Sequence, residues 1–235
     1  MRFLVWLFFF FITSPVWTQR FQCDGSFFVV MEEGNQSVLR NLWLDRDGKV
    51  QSKTILLSEP QRQYTCLGLS VADLYLYALD FDTKELLRID VNGKVTNLGV
   101  PENLNTNLEY WAGDIMPEGR RLTVIGRNKV TGVDKEIYNI NLTTPNYYAG
   151  VSSVISNLST AITDIAVDPI RGLMLGYDKL NKQMVDLGTN VITHHNYKPV
   201  TPFFRSSFFL INKGIYLVMV LKMDTNRMRF TLLTK

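Results

Sequence analysis

The stretch that decides the fold is residues 67–99, which read LGLSVADLYLYALDFDTKELLRIDVNGKVTNLG. Apolar and polar side chains alternate here over short runs, as they do in half-buried strands. The runs are separated at positions 72–73, 82–84 and 92–93, where Asp, Asn and Gly supply turn chemistry and positive φ angles. The last break is an Asn-Gly pair, the strongest short-range sign of a hairpin. The pattern predicts three or four short antiparallel strands in one small sheet.

The same order of strands and turns recurs along the chain, which predicts an internal repeat. In the first four copies, the anchor residues that end one apolar run lie 45, 51 and 46 residues apart, at Asp45, Asp90, Asn141 and Leu187. Periods of about 40–50 residues with several strands each are typical of propeller blades. The copies are degenerate, so chance similarity is an alternative. The five predicted copies cover residues 26–57, 67–99, 108–157, 162–194 and 203–233.

These copies predict an all-β fold, and no helical pattern is present in residues 19–235. A small sheet with two apolar faces cannot bury both of them alone. Sheets stacked face to face around an axis bury both faces and leave only short edges exposed. We therefore expect a single β-propeller domain over residues 19–235, with five blades of three to four antiparallel strands, or six blades as the alternative.

The N-terminus has the pattern of an export signal. Arg2 supplies a positive charge, the ten residues 3–12 are all apolar, and residues 13–18 end in an acceptable cleavage pattern before Gln19. This apolar run is too short for a membrane span, which needs about 20 residues. We expect residues 1–18 to be a signal peptide and the protein to be secreted or held at the cell surface. An uncleaved N-terminal anchor is the alternative.

The composition argues against a nucleic-acid-binding protein and against a mature chain that spans a membrane. Hydrophobic residues make up 46% and charged residues 20% of the 235 residues, which is typical of a chain with a packed core. The formal charge is +3, and Lys and Arg are scattered singly, so we expect no nucleic-acid partner. After residue 19 no apolar run is long enough to span a bilayer, and the mature chain is expected to have no transmembrane segment.

Cys23 and Cys66 are the two cysteines, and both lie in the predicted mature chain. An oxidising destination would allow them to form a disulfide. Because such a bond would close a loop of about 43 residues, the chain-entropy relation gives it roughly 3–4 kcal/mol of stabilisation. The alternative is two separate buried thiols that pack as small apolar side chains.

The sequence predicts no catalytic residues, no metal site and no cofactor. His194 and His195 are the two histidines, and neighbours on a strand point to opposite faces, so they cannot bind one metal from the same side. Motifs of hydrolases, metalloproteases and phosphate-binding loops are absent. Asp45 begins a sequence similar to the opening of a calcium loop but without its later ligands, and a hairpin turn explains it. The other candidate acids are Asp80, Asp82 and Asp90. Their spacing fits hairpin turns, and the alternative is that they face a central channel.

Four aromatic residues are the candidates for ligand binding, because they lie near predicted loops or strand ends. Aromatic side chains clustered at one rim stack on sugars or contact protein surfaces. Core packing between blades is the alternative. The four candidates are Tyr110, Trp111, Tyr147 and Tyr148.

The sequence also contains three sequons, which would accept glycans in a eukaryotic secretory pathway. They begin at Asn35, Asn141 and Asn157.

Several of these features also occur together in a known family. Residues 23–28 read Cys-Asp-Gly-Ser-Phe-Phe, and the segments LGLSVADLYLYALD and LLRIDVNGKVTNLG follow. In these features the chain resembles a family of exported bacterial propeller-like repeat domains of uncharacterised function. The resemblance covers residues 21–130 best and implies a propeller in a secreted or cell-surface protein. It implies no catalytic residues.

The leading hypothesis for function is a non-catalytic binding or scaffold module whose partner is an extracellular protein or glycan. One alternative is an extracellular propeller hydrolase or lyase that acts on a polysaccharide or lactone. Another is a structural subunit of a cell-surface assembly.

Overall fold

The structure of the protein is a computed structural model. It describes residues 20–21, 27–33, 36–47, 49–59, 62–154, 160–167, 173–178, 180–181, 183–187, 193–195, 209–212, 215–218, 220–224 and 227–231. The predicted signal peptide, Cys23 and the sequons at Asn35 and Asn157 lie outside these residues, so what was expected of them stays a prediction. In the described part of the chain, no helix is long and apolar enough to cross a membrane.

The described residues form short strands and no helix. The first sheet contains β1 (Phe27–Glu33), β2 (Gln36–Leu44) and β3 (Val50–Leu57). The second contains β4 (Tyr64–Leu69), β5 (Leu76–Asp80), β6 (Leu86–Ile89) and β7 (Val95–Asn97). The third contains β8 (Leu108–Ile115), β9 (Arg121–Asn128), β10 (Asp134–Asn141) and β11 (Ala149–Val154). The fourth contains β12 (Ile162–Val167), β13 (Met174–Asp178), β14 (Gln183–Asp186) and β15 (Thr193–His195).

Each of these sheets is an antiparallel meander in which every strand pairs with the next one along the chain. The all-β prediction is thereby confirmed, and the sheet of three or four strands predicted around residues 67–99 has four. The C-terminal copy differs from expectation. It forms two hairpins, β16 (Phe209–Asn212) with β17 (Ile215–Val218), and β18 (Val220–Asp224) with β19 (Arg227–Thr231). Within this copy the unbroken apolar run over residues 215–223 predicts a single strand. This prediction is wrong, because the first half of the run pairs with β16 and the second half with β19.

The second sheet buries both of its faces. Along β5, Leu76 and Ala78 pack into a core shared with the first sheet, while Tyr77 and Leu79 pack into a core shared with the third sheet. The third sheet repeats this arrangement, since its other face forms a core with the fourth sheet through residues such as Ile125. Side chains that alternate along a strand point to opposite faces, so each of these strands serves two cores. The sheets are therefore stacked face to face, as the propeller prediction requires.

The first strands of three consecutive sheets, β4, β8 and β12, lie next to one another. Their backbones approach so closely that side chains are excluded at two glycines. A Cβ on Gly68 would lie 2.6 Å from Cγ1 of Ile115, and one on Gly113 would lie 2.5 Å from Cβ of Cys66. The stack is therefore tightest along these strands, which we call the inner strands.

Each inner strand also carries a β-bulge. A bulge places extra residues opposite one partner residue, bends the strand and changes the direction of the side chain. Trp111 is the extra residue in β8, and Cys66 lies within the bulge of β4 with a φ of 56°. The pairs of residues that flank the three bulges are Thr65 and Gly68, Tyr110 and Ala112, and Ile162 and Ile165.

The predicted anchor residues share one turn geometry. Asp45, Asp90 and Asn141 each accept the backbone N–H two residues later through a side-chain oxygen, at 3.0, 2.9 and 2.9 Å. Side chains that bond their own backbone in this way stabilise tight turns. Asp45 thus lies in the β2–β3 hairpin. Leu187 differs, because its backbone N–H bonds the carbonyl of Met174 at 2.7 Å.

Positive φ angles occur at unexpected residues in two predicted turns. Gly93 has a φ of 79°, as its turn requires, but the other two turns place Leu74 (62°) and Lys84 (63°) in the left-handed region. The N–H groups of these two residues bond the carbonyls of Ser70 and Asp80, four residues earlier, at 2.8 and 3.0 Å. This hydrogen bond, rather than the residue type, holds the conformation.

Candidate ligand-binding site

The four candidate aromatic residues do not form one rim. Tyr110 is 1% exposed, and its ring meets that of Tyr138 edge to face with centroids 6.0 Å apart. Its hydroxyl donates to the carbonyl of Asn105 at 3.0 Å, and burial raises the pKa of the Tyr110 phenol. Tyr110 is thus part of the core between the second and third sheets, which corresponds to the packing alternative.

Tyr147 and Tyr148 lie at the connection between β10 and β11. Tyr147 is half-buried against the same core and has a φ of 48°, whereas Tyr148 is 49% exposed. The strand registers place Tyr148 about five residues along the sheet from Trp111, or roughly 15 Å at the rise of an extended chain. These tyrosines and Trp111 therefore belong to different surfaces.

Trp111 is 40% exposed at the bulge of β8. Its ring packs against Phe81, from the β5–β6 turn of the preceding sheet, with centroids 4.4 Å apart and planes inclined at 50°. Its Nε1 donates to Oε2 of Glu109 at 3.1 Å. On Phe81, Nζ of Lys84 lies 4.6 Å from the ring centroid and donates to the backbone carbonyl. We call Phe81, Lys84, Glu109 and Trp111 the Trp111 platform.

The turn that carries Phe81 and Lys84 is held in place by its neighbours. Asp80 accepts two backbone N–H groups of the turn through Oδ1 and pairs with Nε of Arg62 through Oδ2 at 2.9 Å. Arg62 also reaches Glu85, on the far side of the turn, at 3.0 Å. The N–H of Phe81 bonds the carbonyl of Gln63 at 2.7 Å. The aromatic surface is therefore organised before any ligand arrives, which lowers the entropy cost of binding.

Lys84 is the buried member of the platform and adds almost no exposed surface to it. Lys84 is 3% exposed, and burial lowers the pKa of its ammonium, with Lys129 acting in the same direction. The carboxylates of Glu109, Asp82 and Asp80 oppose this shift. The contact with the Phe81 ring is a cation–π interaction, which gains strength where water is excluded.

A second polar arrangement lies where the inner strands meet. Asp114 accepts the N–H of Ile115 through Oδ1 at 2.7 Å and the N–H of Val167 through Oδ2 at 2.9 Å. Burial raises the pKa of Asp114 to about 7. A carboxyl group with such a pKa exchanges its proton near neutral pH, and here its Oδ2 also joins β8 to β12.

The remaining candidates carry less chemistry. Cys66 is buried in β4, and burial raises the pKa of its thiol, which disfavours the reactive thiolate. Its proposed partner Cys23 is not described, so the disulfide stays a prediction. The side chains of His194 and His195 also lie outside the description, although their backbones belong to β15. Where side chains are described, no three His, Cys, Asp or Glu residues group closely enough to hold a metal ion.

Sequence patterns alone do not select Phe81, Lys84 or Glu109. Positions 82–84 contain residues that are typical of turns, so the sequence gives no reason to expect a further role for the residues around them. The available signal is an aromatic residue directly after the strand-ending Asp80, at a position where small polar residues dominate turns. Only the stacking of two sheets brings this residue to Trp111.

Comparison with solved structures establishes the type of all-β fold. The chain is similar to a streptogramin B lyase structure (TM-score 0.50, 9% identity, 90% of this chain and 84% of that chain). It is also similar to a chain in a nidogen/laminin complex (TM-score 0.51, 13% identity, 85% and 89%). A virginiamycin B lyase from Staphylococcus aureus is also similar, with a TM-score of 0.48 and 12% identity. The match covers 84% of this chain and 64% of the lyase chain. The streptogramin B lyase and the nidogen/laminin chain are β-propeller proteins, and the predicted propeller fold is confirmed. The number of blades, five or six, stays a prediction.

No curated protein sequence matches the chain significantly. A family model does match, over residues 27–207, which is more than half of the 235 residues. The match agrees with the resemblance to propeller-like repeat domains of uncharacterised function. The chain belongs to the DUF6923 family, a repeat of unknown function.

Proposed function

We propose that this protein is an extracellular binding module, without catalytic activity, that holds its ligand on the Trp111 platform. The observation that carries the proposal is the exposure of Trp111, which is 40% exposed although its ring packs on Phe81 and bonds Glu109. Tryptophan is enriched among the residues that carry most of the energy of recognition, because it offers a large, rigid and amphipathic surface.

The fold itself does not distinguish binding from catalysis. Proteins with this fold include a streptogramin B lyase and a chain of a nidogen/laminin complex, and function depends on the site rather than on the fold. In this chain the acids Asp45, Asp80 and Asp90 accept backbone N–H groups in turns. Asp114 likewise joins two strands. Their use in the backbone supports a binding role over the hydrolase or lyase alternative.

The extracellular part of the proposal rests on residues 1–18, which have the charge and apolar run of an export signal. A secreted or surface-held propeller meets proteins and glycans as its main partners. The proposed ligand is therefore an extracellular protein or glycan, and the structural subunit of a surface assembly is the alternative.

The test uses the full chain, produced by secretion and applied to an array of glycans and an array of extracellular proteins. Trp111→Ala is compared with Trp43→Ala, because Trp43 is 37% exposed on β2, outside the platform. We expect at least one ligand that Trp111→Ala loses and Trp43→Ala keeps. Loss in both variants, or in neither, contradicts the proposal. Conversion of a bound ligand to product contradicts its non-catalytic part.

A further inference from the structure

We infer that the Trp111 platform takes an uncharged oligosaccharide, with one sugar ring stacked on the exposed indole. The inference rests on the proposed function and narrows it to one class of ligand. It follows from three properties of the platform: its aromatic surface, its hydrogen-bonding groups and its charge.

The first property is the aromatic surface. Phe81 supports the Trp111 ring from the neighbouring sheet at a centroid distance of 4.4 Å, and Trp111 remains 40% exposed. A pyranose ring has a face of C–H groups and a rim of hydroxyl groups. Aromatic side chains with a few polar groups at their edge are the usual lining of sites for such amphipathic ligands.

The second property is the carboxylate at the edge of the indole. Glu109 accepts Nε1 of Trp111 at 3.1 Å, which fixes the orientation of the ring. An ionised carboxylate has about four lone-pair sites on its two oxygens. Glu109 therefore orients the stacking surface and still has the capacity to accept hydroxyl groups from a sugar that lies on it.

The third property is the charge around the platform. The ammonium of Lys84 experiences Lys129 as a like charge and Glu109, Asp82 and Asp80 as opposite charges. Asp80 is paired with an arginine. Because the ammonium of Lys84 is covered, the neighbouring charges left for a ligand are the carboxylates of Glu109 and Asp82 and the ammonium of Lys129. This excess of carboxylate disfavours an acidic sugar, and an uncharged ligand avoids the repulsion.

A protein ligand fits the same features less well. Stable protein interfaces bury about 1,600 Å² in total and surround their central aromatic residues with contacts that exclude water. Here Phe81 is half-buried, so the indole of Trp111 is the exposed large apolar group of the platform. A single indole flanked by charges matches the width of one or two sugar rings.

The experiment is isothermal titration calorimetry of the full chain with four neutral probes: cellohexaose, xylohexaose, chitohexaose and mannohexaose. A galacturonate hexamer and a heparin hexasaccharide serve as charged comparisons. We expect at least one neutral probe to bind, with a Kd that changes less than twofold between 50 and 500 mM NaCl. Trp111→Ala should weaken this binding at least tenfold, Trp111→Phe and Glu109→Gln should weaken it less, and Trp43→Ala should leave it unchanged.

Several outcomes overturn the inference. Binding that is unchanged by Trp111→Ala, or binding of the charged probes alone, contradicts the neutral-glycan assignment. If Trp111→Ala abolishes only the capture of an extracellular protein, the ligand class is wrong and the proposed binding function stands. If no glycan or protein depends on Trp111, both fail. Trp111→Phe and Glu109→Gln keep the test decisive if the alanine variant does not fold.

Discussion

The carboxylate of Asp114 in β8 accepts the backbone N–H of Val167 in β12 at 2.9 Å, so a side chain of one sheet completes the hydrogen bonding of the next. Asp114→Ala leaves this N–H without its acceptor, which costs about 1–3 kcal/mol for a buried group. We expect the free energy of unfolding to fall by about 2 kcal/mol in urea denaturation. The control is Asp82→Ala at an exposed position, with an expected change within about 0.5 kcal/mol. Equal losses in the two variants would contradict the bridging role of Asp114.

Asp114 also predicts a dependence of stability on pH. Burial raises the pKa of its carboxyl from 3.8 to about 7, so the folded protein holds this proton more tightly than the unfolded chain does. Its contribution to stability is complete below about pH 4 and is lost as the pH rises through about 7. The difference in unfolding free energy between wild type and Asp114→Asn should grow from pH 7.5 to pH 5, by at most about 1.4 kcal/mol per pH unit. A difference that stays constant or shrinks would refute this.

Gly93 and Gly99 form a matched pair for the cost of close packing. Both have positive φ angles, 79° and 82°, but a Cβ on Gly93 would lie 2.5 Å from the carbonyl oxygen of Ile55, whereas Gly99 has nothing within 4 Å. Gly99→Ala should cost about 1–2 kcal/mol from the φ angle alone. Gly93→Ala adds a backbone clash of about 1–3 kcal/mol. Thermal or urea unfolding measures both variants. Similar losses of stability in the two would show that β3 moves to make room for the added Cβ, which contradicts the close packing.

The pair Arg127–Asp134 is buried, with Nε and Oδ1 2.9 Å apart. The other oxygen of Asp134 accepts the N–H of Ile162 at 2.7 Å, so the pair also holds β12. Arg127→Ala leaves a carboxylate in the interior, which costs about 3–5 kcal/mol. Arg121→Ala removes an exposed pair with Glu118 and should cost less than about 1 kcal/mol. Urea unfolding measures both, and a cost for Arg127→Ala no larger than its control argues against the buried pair.

Export makes a separate prediction about the N-terminus. In a secreting host the chain should appear in the medium and begin at Gln19, as N-terminal sequencing would show. Phe9→Arg places a charge in the apolar run and should leave the protein inside the cell. The matched change Phe9→Leu should not affect secretion. A membrane-bound product that still begins at Met1 would favour the uncleaved anchor.

The sequence predicts those parts of the fold that depend on local chemistry. The Asn-Gly pair marks the β6–β7 hairpin because Gly93 takes a positive φ, and the anchors Asp45, Asp90 and Asn141 recur because each holds a turn through its side chain. The break in the run over residues 215–223 is different. This run contains no turn residue, and only the pairing partners of its two halves reveal the break.

The site depends on contacts between sheets, which a single sequence does not reveal. Tyr110 and Trp111 are neighbouring aromatic residues of one strand, yet the first is 1% and the second 40% exposed. Which of them is covered depends on the bulge in β8 and on the position of the preceding sheet. Phe81 comes to Trp111 for the same reason, across a distance of 30 positions in the chain.

The two-sided burial of the second and third sheets limits how such a chain can change over evolutionary time. Recombination inside a sheet would leave two unmatched apolar surfaces, whereas exchange within the connections at residues 58–63 or 98–107 transfers an intact unit. Related proteins should therefore differ in length by whole multiples of about 45 residues, which is one sheet with its connection. The length of a relative would then give its number of sheets.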